Sequence, residues 1–316
     1  MKIALDVMGG DNAPLSPVLG AVEALGHLQP DDRIVLVGKG EAIRECLDRQ
    51  HIAQDTFDIA EAPEVIGQDE HPTVAFSQKR NASIPLGYQL MKQGRADAFA
   101  SAGNTGAMLV GALYLLNTIP GIIRPCIPAL IPRAAGGYTL ILDVGSNPDA
   151  RPDVLYQYGM IGAAFAGMVL KIAEPRVALL NIGEEEEKGS LLTQAAYKAM
   201  KGTNDFRFTG NIEARDLFGD KADVIVCDGF SGNIVLKQIE GFYNLLVEKG
   251  VQNPFFDRYN YENYGGTPIL GVNGVAMIAH GISSTSAFRT MITEAANIYR
   301  SGLIGELQAR LKRFSD

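Results

Sequence analysis

At 316 residues, with 47% hydrophobic and 20% charged side chains, the chain is long enough for a large core and has the balance of an ordinary globular protein. Its formal net charge of −8 argues against nucleic acid as the principal ligand, because phosphate contacts need a basic surface. The three cysteines, Cys46, Cys126 and Cys227, form no C-x-x-C pair, which argues against a disulfide framework or a zinc site and for a reducing cytoplasm, and the apolar runs around Cys126 and Cys227 read as inert core.

Short runs rich in Val, Ile and Leu predict strands over 3–7, 33–38, 56–62, 98–103, 127–132, 139–145, 176–183, 206–211, 223–229 and 276–281. The segments between them, such as 15–28, 87–94, 153–172, 190–201 and 285–313, carry helical spacing. Several strands are apolar on both faces, which is the pattern of a mostly parallel sheet covered by helices on both sides. The alternation reads as α/β, in one two-lobed unit or two domains, with no clear linker. The segment 250–268 is the least regular and reads as a loop or hairpin. MKIALDV has no charged stretch ahead of a long apolar run, and no run of ~18 apolar residues follows, so neither a signal peptide nor a membrane span is expected.

The 35 glycines exceed the usual share, and their placement carries the functional signal. Five strand ends pass from an apolar run into small polar residues: DVMGGDNAP (6–14), SAGNTG (101–106), DVGSN (143–147), NIGEEEEKG (181–189) and DGFSGN (228–233). Glycine permits tight turns and close backbone approach, and Asn, Asp, Ser and Thr cap the helices that follow. In open α/β sheets ligands bind beyond the carboxyl ends of strands, where helix N-termini favour anions. One such turn is ordinary α/β architecture; five favour a phosphate-like ligand. The candidate binding residues are Gly9, Gly10, Asp11, Gly103, Asn104, Thr105, Gly106, Asn147, Ser231, Gly232 and Asn233, and His280 can face the same cleft. Neither G-x-x-x-x-G-K-[ST] nor a G-x-G-x-x-G after the first strand is present, which counts against an ATPase or a standard dinucleotide dehydrogenase.

The strings DVMGGDNAP, PTVAFSQKRNASI, SAGNTGA, GIIRPCIPALIP, LDVGSNPDARPDVLYQYGMIG, LLNIGEEEEKG, FTGNIEARD, DVIVCDGFSGNIVLKQIEG and YGGTPILGVNG occur in that order. Together they resemble the PlsX family of phosphate acyltransferases from residue 3 to about residue 300. The resemblance implies transfer of a fatty acyl group from acyl carrier protein to inorganic phosphate, feeding glycerophospholipid synthesis. It implies a two-lobed α/β/α fold similar to isocitrate and isopropylmalate dehydrogenases and to phosphotransacetylase, with a cleft between the lobes. It also implies a homodimer, membrane-surface contact and a downstream partner such as a glycerol-3-phosphate acyltransferase. The chain departs from the family pattern at Val7, at the less basic SQKRNASI loop, and over 240–264, where the hairpin is shortened. A cytoplasmic protein, at most weakly peripheral at the membrane, is expected.

A thioester is already an activated donor, so the chemistry needs no covalent nucleophile, metal or redox cofactor. It needs an anion cradle, orientation, and a cation or N–H donors for the oxyanion. Lys188 is the expected catalytic cation, with Asn181 beside it as an oxyanion donor, and Asn104, Asn147 and Asn233 can also donate. Glu184–Glu187 are expected at or just before a helix start, holding the Lys188 ammonium charged. Acidic strand-end residues such as Asp6, Asp11, Asp143 and Asp228 are expected to cap or orient rather than touch phosphate. Lys79 and Arg80 are expected to draw the acidic carrier protein. A non-catalytic acyl or phospholigand sensor and a metal-dependent hydroxyacid dehydrogenase of the same fold are the alternatives.

Overall fold

The computed structural model describes residues 1–314. In chain order the elements open with β1 (Lys2–Asp6), α1 (Leu15–Leu25), β2 (Arg33–Gly38), α2 (Gly40–Arg49), β3 (Asp58–Glu61), α3 (Pro72–Gln78), α4 (Ser83–Lys92), β4 (Ala98–Ser101) and α5 (Thr105–Gly111). There follow β5 (Pro128–Pro132), β6 (Tyr138–Leu142), α6 (Pro152–Met168), β7 (Arg176–Asn181), α7 (Leu191–Met200), β8 (Arg207–Glu213), β9 (Val224–Val226), α8 (Gly229–Glu248) and α9 (Pro254–Asp257). The chain closes through β10 (Thr267–Pro268), β11 (Val275–Ile278), α10 (Thr285–Ser301) and α11 (Leu303–Leu311).

These elements make two units. One takes Met1–Thr118 with Glu262–Arg300, the other Ile119–Tyr261 with the stretch from Ser301. The first holds a six-stranded sheet in the order β10-β11-β4-β1-β2-β3, parallel except for the β10 edge. The second holds a five-stranded sheet in the order β5-β6-β9-β7-β8, parallel except for the β5 edge. Each of the ten strand runs read from the sequence overlaps an observed strand, with ends shifted by at most three residues; β10, two residues long, is additional.

The central strands β4 and β9 are buried at every position, as a sheet covered on both faces requires. In the second unit α6 packs across the sheet through two small positions. A Cβ on Gly159 would stand 2.6 Å from the Phe206 ring, and one on Gly162 would stand 2.5 Å from Val224. In the first unit Gly87 of α4 faces Phe99 of β4 in the same way, 2.1 Å from the ring. Close approach lets each large neighbour fill the space between helix and sheet, and burying one such side chain stabilises the fold by roughly 1.5–3 kcal/mol. Because the parallel strands of each sheet run the same way, their carboxyl ends share one edge, and that edge carries the glycine-rich turns.

Candidate active site

In the first unit the turns after β1 and β4 are knit by one carboxylate. Asp6, at the end of β1, is fully buried; it accepts the Met8 N–H at 2.9 Å and the Ser101 hydroxyl at 2.7 Å. Ser101 in turn accepts the Gly103 N–H at 2.9 Å. Burial pushes the Asp6 carboxyl above its ordinary range, against the lowering effect of the bonds from Ser101, Met8 and Ser83. The β1 and β4 turns touch: a Cβ on Gly9 would lie 2.5 Å from the Gly103 nitrogen, so a side chain there would part them. Asp11 donates its backbone N–H to the Gly281 carbonyl at 2.7 Å, tying in the turn that carries exposed His280. Gly10, Thr105 and Gly106 belong to the same turns, Gly106 packed on Pro72.

Asn104 is buried and fully engaged. Its Oδ1 accepts the Ala107 N–H and caps α5, while its Nδ2 donates to the carbonyls of Gly67, Gln68 and Glu70 at 3.0, 3.2 and 3.0 Å. It straps the 67–70 loop over the strand end, and its amide protons point into that strap. Lys79 belongs to the same strap. Its ammonium bonds Glu70 at 2.6 Å and the Val65 carbonyl at 3.0 Å, leaving exposed Arg80 as the outward charge of the pair.

The second unit uses a second buried carboxylate at the equivalent point of β6. Asp143 accepts the N–H groups of Ile127, Ser146 and Asn147 at 3.0, 3.1 and 2.6 Å. The β9 turn closes on it. A Cβ on Gly232 would lie 1.9 Å from the Asp143 carbonyl oxygen, and one on Gly229 2.6 Å from its carboxylate. Asp228 caps α8, accepting both the N–H and the hydroxyl of Ser231 at 2.8 and 3.0 Å. Asn147 spends its amide on the Pro125 carbonyl at 2.7 Å, whereas Asn233 is exposed over Gly145. Asn147 also lines a cavity of about 230 Å³ with Ile123, Arg124, Asp149, Ala150, Arg151 and Val154. The sequence reading passed over Arg124, although a bare arginine inside GIIRPCIP was the available signal.

The loop after β7 departs most from expectation. Glu184–Glu187 lie outside any helix; α7 begins at Leu191, capped by the Ser190 hydroxyl. The glutamates do not clamp Lys188. Glu184 pairs with Lys221 at 2.8 Å and Glu186 with Lys201 at 2.6 Å, so the run fastens the loop outward to other lysines. Lys188 makes no ion pair among the described residues and is exposed. Its stem lies across Gly183, where a Cβ would meet the lysine Cγ at 2.9 Å. Asn181 holds the loop shut: its Oδ1 accepts the Ile182 N–H at 2.9 Å and its Nδ2 donates to the Lys188 carbonyl at 3.1 Å. Gly189 adopts φ +94°, and a Cβ there would stand 2.1 Å from Asn181 Oδ1. Both ends of the Asn181 carboxamide are thus engaged within the loop that carries Lys188.

Helix α8 leaves the β9 turn with only Gly229 and Gly232 buried. Ile234, Phe242, Leu245 and Val247 are exposed along it. The following segment, read as a shortened hairpin over 240–264, folds back on its own unit. The Tyr259 hydroxyl donates to the Pro132 carbonyl at 2.9 Å, and Arg258 donates to the carbonyls of Arg133 and Gly137 at 3.1 and 2.7 Å. No helix among the described residues is long and apolar enough to cross a membrane.

A family model described as fatty acid synthesis protein matches residues 1–305. A phosphate acyltransferase of Syntrophomonas wolfei is 39% identical over 320 residues, covering 100% of both chains. Another, from Desulfitobacterium hafniense, is 42% identical over 335 residues, covering 100% of this chain and 99% of that one. Among solved structures, a phosphotransacetylase from Streptococcus pyogenes superposes with a TM-score of 0.65 at 20% identity, covering 94% of each chain. That last likeness is one of fold.

Proposed function

The chain belongs to the phosphate acyltransferase family, and from that premise we propose that it transfers a fatty acyl group from acyl carrier protein to inorganic phosphate, by direct attack on the thioester. A phosphate oxygen forms the new bond to the acyl carbon, giving a tetrahedral oxyanion. The carbon–sulfur bond then breaks, and the thiolate of the carrier's arm leaves with its electron pair and takes a proton from water. The products are acyl phosphate and free carrier protein, and the acyl phosphate passes to an acceptor such as a glycerol-3-phosphate acyltransferase.

The observation that carries this reading is Lys188, a cation without an ion-pair partner among the described residues, on a loop closed by Asn181 at the carboxyl end of β7. As negative charge develops on the reacting centre, a fixed ammonium gains interaction energy; losing one such donor costs ~3 kcal/mol, on the order of a hundredfold in rate. In the first unit the turns with Gly10 and Gly106 offer close backbone approach to anionic groups, whereas the N–H groups of Gly103 and, in the second unit, Gly232 are taken by the Ser101 hydroxyl and the Asp228 carbonyl. Arg80 contributes local positive charge for an acidic carrier on an acidic protein. The exposed face of α8 makes a homodimer. With Arg258 bonded to carbonyls of its own unit, membrane contact of this cytoplasmic enzyme is weak and peripheral.

The test mixes acyl carrier protein thioester with phosphate and traps acyl phosphate as a hydroxamate. Lys188→Ala is expected to fold normally and lose about two orders of magnitude in turnover, with Lys188→Arg rescuing only in part. An Ala variant keeping more than about a tenth of wild-type turnover at saturating substrates would remove Lys188 from the chemistry.

A further inference from the structure

We infer that Ile182 and Leu191 form the seat of the donor's acyl chain and set the chain length that the site prefers. This rests on the acyl-transfer reading above. The two side chains are 80% and 87% exposed, the highest values of any large apolar residue among those described. A single exposed Leu or Ile is ordinary. These two stand at the two feet of one closed loop.

Ile182 follows Asn181, whose carboxamide spans from the Ile182 N–H to the Lys188 carbonyl. Leu191 opens α7, two residues after Gly189. The feet meet there: a Cβ on Gly189 would lie 2.1 Å from Asn181 Oδ1 and 2.2 Å from Thr193 Oγ1. The Lys188 stem crosses Gly183, next to Ile182 in the chain. The apolar surface therefore begins where the lysine stem lies. The helix that follows β9, the strand paired with β7, also exposes apolar side chains in its first turns, Phe230 at 62% and Ile234 at 50%.

The chemistry of the donor selects the occupant. The carbon attacked by phosphate is the first carbon of the acyl chain, so a chain whose carbonyl sits at Lys188 has its next carbons beside the loop that carries the lysine. Each methylene removed from water is worth roughly fourfold in affinity. Side chains of this kind reward a long tail and offer little to a short one. Two of the loop's four glutamates, Glu184 and Glu186, are held by Lys221 and Lys201.

The experiment compares palmitoyl and butyryl thioesters of acyl carrier protein on the wild type and on a variant carrying Ile182→Ser and Leu191→Ser. The palmitoyl-over-butyryl ratio of kcat/KM is expected to fall about tenfold, through the palmitoyl KM, with the KM for phosphate unmoved. Ile182→Val with Leu191→Met, which keep an apolar surface, should retain the wild-type ratio. An unchanged ratio in the Ser variant overturns the inference. So does an equal loss for both donors, the mark of a patch that docks the carrier protein itself. A parallel calorimetric titration with the unreactive palmityl thioether of the carrier separates the two levels. Wild-type protein that binds it more tightly than the Ser variant yet makes no acyl phosphate sinks the reaction and keeps the seat. Turnover with an unchanged ratio does the reverse.

Discussion

Removing the Asn181 carboxamide should slow the reaction by loosening Lys188 rather than by unbinding the oxyanion. Asn181→Ala deletes two hydrogen bonds, to the Ile182 N–H at 2.9 Å and to the Lys188 carbonyl at 3.1 Å. At about 0.5–1.5 kcal/mol each, the closed loop loses about 1–3 kcal/mol relative to open ones. The loop is exposed and outside the core, so the loss falls on local opening, and the melting temperature should shift by only a few degrees. Turnover should fall about tenfold as the ammonium spends less time in position. The decisive measurement is a double-mutant cycle read by hydroxamate trapping at saturating phosphate and donor. If Asn181 acts through Lys188, Asn181→Ala on top of Lys188→Ala adds little to the roughly hundredfold loss of the lysine alone. A double mutant slowed by the product of the two single effects would refute this, and would return Asn181 to the oxyanion, as the sequence suggested.

Two further outcomes test other parts of the molecule. At the amino end of β9, Asp223 accepts bonds from the Arg176 side chain and backbone and from Arg133; burial raises its carboxyl, but these bonds outweigh it and hold the pKa at about 2. A carboxyl held below its unfolded value stabilises the fold above the unfolded pKa, and the contribution disappears as pH falls through the folded one; here that is about 2 kcal/mol, lost between about pH 4 and pH 2. Thermal melting across that window should show a smaller acid-induced fall for Asp223→Asn than for the wild type, and equal falls would show that the arginine cluster contributes nothing. For the exposed face of α8, Phe242→Ser with Leu245→Ser should halve the sedimenting mass at micromolar concentration without lowering the melting temperature much; a monomeric wild type would end the dimer proposal.

The strands were legible because each is a short apolar run that reads the same in any context. β10 was not, since two residues ending in Pro268 carry no pattern and exist only through antiparallel pairing with Met277 and Ile278. α2 received no bounds from the sequence although Ile43, Cys46 and Leu47 mark its buried face, and neither did α8, whose apolar residues do not gather into one buried stripe. At the site, the turns and their glycines stood out in the sequence, whereas the duties of the polar side chains did not. Glu186 and Glu184 find lysines 15 and 37 residues away, and Asn104 finds carbonyls 34 to 37 residues away. Such partnerships belong to the tertiary structure, and no local spacing encodes them. Asp6 and Asp143 were read as caps or as groups that orient Lys and Arg; in the structure they accept the N–H and hydroxyl groups of the turns around them.

The first sheet is assembled from two distant stretches of chain, and this shapes how a ribosome must deliver it. Ala98 and Phe99 of β4 take Val275 and Ala276 of β11 as their parallel partners, and the entire Ile119–Tyr261 stretch is made in between. Until β11 emerges, β4 is the outer strand of β3-β2-β1-β4, with one row of backbone N–H and C=O groups unpaired and an apolar surface of Ala98, Phe99 and Ala100. An unpaired apolar edge is the template on which nascent chains pair with one another. The nascent protein therefore passes through a period of synthesis in which shielding by a chaperone, or slow encounter between ribosomes, decides its yield.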